Sequence, residues 1–227
     1  MTDIIISKKN EVYAKITCEK HIAQELSQFF EFFVPGYQFV PAFRNRVWDG
    51  KIRLFNLQTN QLYLGLLDYI KQFCESRDYT YEYENNLDTE DDFSLYRAKK
   101  FIEELKIHAR GEPIEVREHQ LSAFVHAMQK RRTLLLSPTA SGKSLIIYLL
   151  FRQLWQYPNL KGLIIVPTTS LVEQLTSDFA DYNNENMEQH IHKIYQGKEK
   201  TTDKPLTIST WQSLYKMGNQ VQANHLV

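Results

Sequence analysis

Apolar residues in the first third of the chain follow two different periods, and together they predict a small α+β domain. Two groups fall on one face at helical spacing: Ile22, Leu26, Phe29, Phe30 and Phe33 in the first, and Leu66, Leu67, Ile70, Phe73 and Cys74 in the second. Short apolar and β-branched runs predict strands at 3–7, 11–17, 51–55, 61–65 and 79–83. Pro35-Gly36 is expected to end the first helix. We interpret residues 1–84 as this domain.

The rest of the chain alternates between helical and strand patterns after a polar stretch. Residues 85–93 (NNLDTEDDF) have the composition of a solvated linker, and a helix is predicted at about 94–107, so that 85–112 is interpreted as a linker with a helix. Beyond it we predict helices at 118–130, 143–155, 170–181 and 211–216, and strands at 133–136, 162–166, 191–195 and 205–209. Unbroken apolar strands such as TLLL and GLIIV are typical of a parallel sheet buried on both faces, so residues 113–227 are predicted to be an α/β domain.

Composition excludes several classes of protein. With 43% hydrophobic and 24% charged residues, the 227-residue chain is expected to be globular and soluble. No apolar run approaches the roughly 18 to 20 residues that a membrane span needs, and the first ten residues lack the features of a signal peptide. Cys18 and Cys74 are too few for a disulfide framework and are expected to be reduced, half-buried thiols of a cytoplasmic protein.

Charge is balanced over the whole chain but unevenly distributed. The 27 basic and 27 acidic residues give a net charge of zero. An acidic cluster nevertheless lies apart from a basic and aromatic segment at 43–55; it contains Glu82, Glu84, Asp88, Glu90, Asp91 and Asp92. Because local patches set the field that a polyanion meets, the neutral total does not exclude nucleic acid.

The segment TLLLSPTASGKSLIIYLL carries the chemistry that is easiest to recognise. A predicted apolar strand leads into a loop of small residues, and Gly142, Lys143 and Ser144 then open a helix, which is the context of a phosphate-binding loop. Lys143 would reach the β- and γ-phosphates and the Ser144 hydroxyl would hold Mg²⁺, whereas a side chain at Gly142 would block the phosphate. The remaining loop residues would surround the nucleotide: Ser137, Pro138, Thr139, Ala140 and Ser141. The strict pattern begins with Gly where this chain has Ser137, and the alternative is a chance Gly-Lys-Ser at a helix start.

Four segments in order resemble the motifs of superfamily 2 helicases. SPTASGKS resembles motif I, and Arg117-Glu118-His119-Gln120 is similar to the adenine-reading R-P-Y-Q element, matching it at Arg117 and Gln120 but not at the aromatic position. IIVPTTSLVEQ (164–174) resembles motif Ia and ISTWQSL (208–214) resembles motif Ic. The resemblance implies that Arg117 and Gln120 bind the nucleotide and that Thr168, Thr169 and Thr210 meet the DNA backbone.

The same resemblance implies a partial RecA-like domain that uses ATP and Mg²⁺. Segment 36–54 (GYQFVPAFRNRVWDGKIRL) is similar to one in phage recombination helicases of this superfamily, which place a small domain before the motor. The implied activity is remodelling of branched, single- and double-stranded DNA in recombination, repair and replication, in the host cytoplasm and with recombination or single-strand-binding proteins as further partners. The sequence ends at Val227 without an Asp-Glu-x-His motif, so this chain by itself is expected to bind ATP but not to hydrolyse it.

Segment 43–55 interleaves four basic residues with three aromatic ones and has a net charge of +3. Basic residues and an exposed indole are suited to phosphates and unpaired bases, so DNA binding is predicted for Arg44, Arg46, Trp48, Lys51 and Arg53. Phe43 and Trp48 fit a protein core equally well, and sequence alone leaves that open. His190 and His192 would share one face of a strand, where ordinary strand histidines are expected rather than zinc ligands.

Two other functions fit parts of this pattern. A nucleotide kinase would share the phosphate-binding loop, but it would not need Arg117 and Gln120 before the loop or the two helicase-like segments after it. A non-catalytic DNA-binding P-loop protein would keep all of these features and lack turnover, and it remains the alternative to an ATP-dependent DNA helicase.

Overall fold

Residues 2–84, 92–157, 159–183, 186–195 and 202–217 are described by a computed structural model of the chain. The chain divides into two units, Met1–Thr89 and Glu90–Val227. Residues 85–91 lie outside the described residues; they make up most of the predicted solvated stretch at 85–93 and contain three of the six residues of the acidic cluster. In the ranges given above, no helix combines the length and apolar character that crossing a membrane requires.

In the residues that the structure describes, the first unit has six strands and three α-helices, which is one strand and one helix more than the hydrophobic pattern predicts. Its strands are β1 (Ile4–Lys8), β2 (Tyr13–Cys18), β3 (Glu31–Phe33), β4 (Lys51–Arg53), β5 (Gln61–Tyr63) and β6 (Tyr81–Glu84). Its α-helices are α1 (Lys20–Phe29), α2 (Pro41–Arg44) and α3 (Leu67–Glu75). Four strands form a sheet in the order β5-β2-β1-β6, in which only the β1–β6 pair is parallel, and β3 and β4 form a separate antiparallel pair.

One face of the four-stranded sheet and the apolar sides of α1 and α3 form the core of this unit. Ile4, Ile6 and Ile16 from the sheet are fully buried, as are Leu26 from α1 and Phe73 from α3. Both cysteines are free thiols; Cys18 is half-buried and Cys74 is buried. Burial raises the pKa of the Cys74 thiol to about 11.

The first helix is shorter than its hydrophobic pattern predicts. α1 ends at Phe29, and Glu31–Phe33 forms a strand, so the prediction that Phe33 continues the helical face is wrong. In β3, Phe32 pairs with Ile52 and Phe33 with Lys51 of β4. Phe29 and Phe30 satisfy the helical spacing, but pairing with a strand 20 residues further on overrides the local pattern.

The second unit begins with a helix and a tight hairpin. α4 (Leu95–Leu105) starts at Ser94, whose hydroxyl accepts a hydrogen bond from the Arg97 amide at 3.2 Å. The hairpin strands are β7 (His108–Ala109) and β8 (Glu112–Pro113). Arg110 and Gly111 between them have φ values of 56° and 79°, as a type I′ turn requires.

Four helices and three parallel strands form the rest of this unit. The helices are α5 (Glu118–Lys130), α6 (Lys143–Leu154), α7 (Thr169–Asp181) and α8 (Trp211–Met217). The strands are β9 (Gly162–Val166), β10 (Ile191–Ile194) and β11 (Leu206–Thr210), in the order β10-β11-β9. α4 contributes Ala98 and Phe101 to one core with Phe124, Tyr148 and Phe179 of the later helices.

Two predictions about strands in this unit need correction. Residues 133–136 form no regular strand, and Leu134 and Leu136 are 79% and 88% exposed. Nor is GLIIV buried on both faces, because β9 lies at the sheet edge and Ile165 is 55% exposed. The strand buried throughout is β11, although three of its five residues are Ser or Thr; the Ser209 hydroxyl donates to the carbonyls of Ile194 at 2.9 Å and Thr210 at 3.2 Å.

Candidate nucleotide-binding site

The loop at 137–142 leads directly into the first turn of α6. Gly142 is the residue before the helix, with φ of 80°, and Ala140 has φ of 64°. The hydroxyls of Ser137 and Ser141 are hydrogen-bonded across the loop. The first backbone N–H groups of a helix have no acceptor within it and carry the positive end of its dipole, so this turn is suited to an anion.

The Lys143 ammonium lies over the same loop. Its Nζ donates to the carbonyl oxygens of Pro138 at 2.7 Å and Ser137 at 3.2 Å, and the side chain is otherwise exposed. The two carbonyl dipoles therefore occupy the cation in the absence of a ligand. A phosphate would replace neutral acceptors by charged ones, which form stronger hydrogen bonds.

The side chains of Gln120 and His119 both hydrogen-bond to the loop. Gln120 is 5% exposed; its Nε2 donates to the Ser141 carbonyl at 3.0 Å and its Oε1 accepts from the Arg117 amide at 2.9 Å. The His119 Nε2 lies 2.9 Å from the same carbonyl, so that nitrogen carries the hydrogen. His119 stands where the helicase motif has an aromatic residue, and in the structure it makes a polar contact with the loop. The Arg117 side chain is exposed.

Gly142 has no room for a side chain even without a bound phosphate. A Cβ at this position would lie 2.1 Å from the Gln120 Nε2, and φ of 80° is unfavourable for any other residue. The conflict of a side chain with a phosphate stays a prediction, and the structure adds a conflict with the glutamine that contacts the loop.

Ser144 is paired with a residue that the sequence did not suggest. Its Oγ lies 2.9 Å from the Tyr182 hydroxyl, at the end of α7 and 38 residues further along the chain. Burial, with smaller effects from Asp178 and Asp181, raises the pKa of Tyr182 although the Ser144 bond lowers it, so the phenol stays neutral. No local spacing connects positions 144 and 182, so only the packing of α6 against α7 reveals the pair.

The three predicted DNA-contacting threonines lie at or just after the carboxyl ends of two neighbouring parallel strands. Thr210 pairs with Val166 at the ends of β11 and β9, and Thr168 and Thr169 follow β9 directly. Thr168 caps α7 by accepting from the Leu171 amide at 3.4 Å, and Thr169 is exposed. Thr210 is only 4% exposed, and its hydroxyl is 2.9 Å from that of Ser213.

Four of the five predicted DNA-binding residues in the first unit line an open cleft of about 790 Å³: Arg44, Arg46, Trp48 and Arg53. Lys51 does not line it, but its carbonyl accepts a hydrogen bond from the Trp48 indole. Lys51 and Arg53 are ion-paired with Glu31, at 2.5 and 3.3 Å, and Arg53 also pairs with Asp49. The hydrogen bonds that Asp49 accepts from the Arg53 guanidinium and from the Lys51 backbone N–H lower the pKa of its carboxyl group. Within the described part of the chain, neither Arg44 nor Arg46 forms an ion pair. The excess positive charge of the cleft is therefore concentrated on these two arginines.

The aromatic residues of this segment have different environments. Phe55 is 1% exposed and belongs to the core. Phe43 is half-buried with its ring edge-on to Tyr37 at 4.7 Å, and Trp48 is half-buried with its indole N–H donating to the Lys51 carbonyl at 2.9 Å. Trp48 and Phe43 therefore contribute to local packing and also border the cleft.

The two histidines considered as metal ligands do not share a strand. His190 ends a short 3-10 helix and only His192 lies in β10, so the prediction of a common strand face is wrong. Among the described residues, no group of three or more His, Cys, Asp or Glu side chains is arranged to hold a metal ion.

Comparisons with known proteins agree with this arrangement. Residues 3–84 match the family described as DNA helicase UvsW, N-terminal, and residues 96–226 match the family described as Type III restriction enzyme, res subunit. The chain is 35% identical over 221 residues to the ATP-dependent DNA helicase uvsW of Enterobacteria phage T4, which covers 94% of this chain and 43% of that protein. The chain thus spans less than half the length of this relative.

Two solved structures have the same fold. The crystal structure of T4 UvsW superposes with a TM-score of 0.87 at 34% identity, over 95% of this chain and 44% of that one. The crystal structure of the UvsW helicase from bacteriophage T4 superposes with a TM-score of 0.88 at 32% identity, over 99% of this chain and 80% of that one.

Fold, loop and sheet together define an α/β protein with a small N-terminal domain and a RecA-like P-loop region, which confirms the predicted fold class. The chain belongs to the family described as Type III restriction enzyme, res subunit, a family of superfamily 2 helicases. Its N-terminal part is that of the UvsW helicases, which confirms the resemblance seen in the motifs.

Proposed function

We propose that the chain binds ATP with Mg²⁺ at the loop 137–144 and forms the front part of an ATP-dependent DNA helicase that remodels branched DNA. The observation that carries the proposal is the loop itself, where an exposed ammonium and the start of α6 face one site and Gln120 supports the backbone. Similarity to the ATP-dependent DNA helicase uvsW supports DNA as the substrate.

Different residues of the site would bind the phosphates, the Mg²⁺ ion and the adenine of the nucleotide. Lys143 would exchange its carbonyl acceptors for β- and γ-phosphate oxygens, while the amides at the start of α6 bind the same phosphates. Ser144 would hold Mg²⁺, which supplies positive charge shared between phosphate oxygens when bound. Gln120 retains one amide hydrogen and one lone pair beyond its two internal bonds, enough to read an adenine edge alongside Arg117.

DNA would be held by both units. We assign Thr168, Thr169 and Thr210, at one sheet edge, to the DNA backbone, and the cleft around Arg44 and Arg46 to further phosphates. On this proposal residues 1–84 form the DNA-engaging domain, 85–112 the connection, and 113–227 part of the motor. Single- and double-stranded branched DNA, recombination and single-strand-binding proteins as partners, and the host cytoplasm as the location follow from the same assignment.

Nucleotide binding by Lys143→Ala tests the proposal on the chain as it is. Removing a charged donor to phosphate should weaken ATP and ADP binding by on the order of tenfold or more in calorimetric titrations. Thermal stability should stay unchanged, because the ammonium is exposed.

Lys161→Ala is the matched control, since Lys161 is an exposed lysine of the same unit outside the loop. It should bind nucleotide as the parent protein does. If Lys143→Ala melts normally and keeps the parent affinity for ATP, the loop does not bind phosphate and the proposed function fails.

A further inference from the structure

The hydroxyl of Ser144 already has a partner before any ligand binds. Its Oγ lies 2.9 Å from the Tyr182 hydroxyl, and both side chains are partly buried. A serine hydroxyl has one hydrogen and two lone pairs, so the direction of its hydrogen decides where the lone pairs point.

Tyr182 is itself held in place by three separate contacts. Its backbone N–H donates to the Asp178 carbonyl at 3.0 Å, and its carbonyl accepts from the His108 amide of the β7–β8 hairpin at 3.1 Å. Its ring lies 5.3 Å from that of Tyr148. The neighbouring Asp181 carboxylate accepts from the Arg110 amide at 2.8 and 2.9 Å, which ties the same hairpin to the end of α7. These contacts therefore hold the Tyr182 phenol in a fixed position next to Ser144.

A hydroxyl that binds a cation must turn its hydrogen away from that cation. The Tyr182 oxygen lies 2.9 Å from the Ser144 Oγ and can accept that hydrogen. With the hydrogen directed to Tyr182, the lone pairs of Ser144 point to the other side.

We propose that Tyr182 is a positioning residue of the nucleotide site: it accepts the Ser144 O–H and so directs the lone pairs of that serine toward phosphate-bound Mg²⁺. The inference rests on the proposed function. It predicts that Tyr182 affects the part of nucleotide affinity that depends on Mg²⁺ and leaves the rest unchanged.

The experiment is a double-mutant cycle read out by ADP binding, with and without Mg²⁺. Tyr182→Phe should weaken ADP binding by roughly three- to tenfold in Mg²⁺, the effect of one lost hydrogen bond, and should not change it in EDTA. Ser144→Ala should lose the same Mg²⁺-dependent affinity, and adding Tyr182→Phe to it should have no further effect, because the two groups act through one contact. Tyr195→Phe is the matched control, since its hydroxyl bonds to Glu173.

Two results would overturn the inference alone. One is a parent protein whose ADP affinity depends on Lys143 and Mg²⁺ while Tyr182→Phe leaves it unchanged. The other is a Tyr182→Phe effect that is equal in EDTA or additive with Ser144→Ala, either of which indicates a general structural role. A parent protein that binds ADP in neither condition would remove the proposed function, and the inference with it.

Discussion

At the scale of single residues, Gly142 and Gln120 lie so close together that the loop has no room for a side chain at position 142. Sequence motifs identified both residues as parts of a nucleotide site, since Gly-Lys-Ser and Gln120 occur at the expected positions. They did not identify that the two meet, because the contact joins positions 22 residues apart through a turn with positive φ. The same limit explains why His119 and Tyr182 had no predicted role: a hydrogen bond across the fold leaves no local pattern.

Gly142→Ala should destabilise the second unit and weaken nucleotide binding together. The added Cβ meets the Gln120 Nε2 at 2.1 Å and the residue must keep φ of 80°, so a loss of about 1–3 kcal/mol is expected in chemical denaturation. Gly65→Ala is the control, because a Cβ there meets nothing within 4 Å.

The double variant Gly142→Ala with Gln120→Ala separates the two causes. It removes the clash and keeps the backbone strain, so it should be less unstable than the sum of the single variants. Fully additive losses would show that the glycine and the glutamine do not interact.

At the scale of elements, the amphipathic helices were predictable and the strands were less so. In α3, α5, α6 and α7 the apolar residues recur at helical spacing, and this pattern lies entirely within the segment that forms each helix. A strand instead needs a hydrogen-bonded neighbour that can be far along the chain. The pattern of Glu31–Phe33 therefore predicts the end of a helix, whereas pairing with β4 makes this segment strand β3. Residues 133–136 have a strand-like pattern but form no strand in the described structure.

β3 also changes the electrostatics of the cleft in the first unit. The sequence of segment 43–55 does not distinguish its four basic residues as candidate DNA contacts, because Glu31 lies outside that segment. Pairing of β3 with β4 brings Glu31 to Lys51 and Arg53, so these two side chains already have acidic partners. The candidate DNA contacts thus divide into two classes that sequence could not distinguish.

Arg44→Ala and Arg46→Ala should weaken DNA binding, whereas Lys51→Ala and Arg53→Ala should mainly affect folding. A phosphate contact contributes about 0.9 to the slope of log affinity against log salt, so each of the first pair should flatten the slope by roughly 1. Each of the second pair leaves Glu31 or Asp49 with fewer partners and should lower the melting temperature.

Fluorescence anisotropy with a labelled forked duplex over a range of salt concentrations, together with thermal melting, measures both effects in one preparation. A larger change of salt slope for Lys51→Ala and Arg53→Ala than for the other pair would reverse the assignment. Unchanged slopes for all four variants would place the DNA contacts elsewhere.

At the scale of the whole molecule, the two units have separate hydrophobic cores. Ile4, Leu26 and Phe73 belong to the first core, and Phe124 and Phe179 belong to the second. The matched families divide at nearly the same place, at residues 3–84 and 96–226. Stability and nucleotide binding should therefore be separable between the two units.

Leu26→Ala should destabilise the first unit and leave nucleotide binding intact. Leu26 is fully buried, and truncating such a leucine costs about 2–5 kcal/mol through lost burial and the cavity left behind. Gln24→Ala on the exposed side of the same helix is the matched control and should melt as the parent protein does. In scanning calorimetry we expect the unfolding transition of the first unit to shift to lower temperature, while the transition of the second unit keeps its midpoint.

Adding ADP with Mg²⁺ should raise the midpoint temperature of the second unit's transition only, because a ligand stabilises the unit whose native state binds it. A Leu26→Ala protein that loses ADP affinity at a temperature where both units remain folded would show that the two cores are energetically coupled.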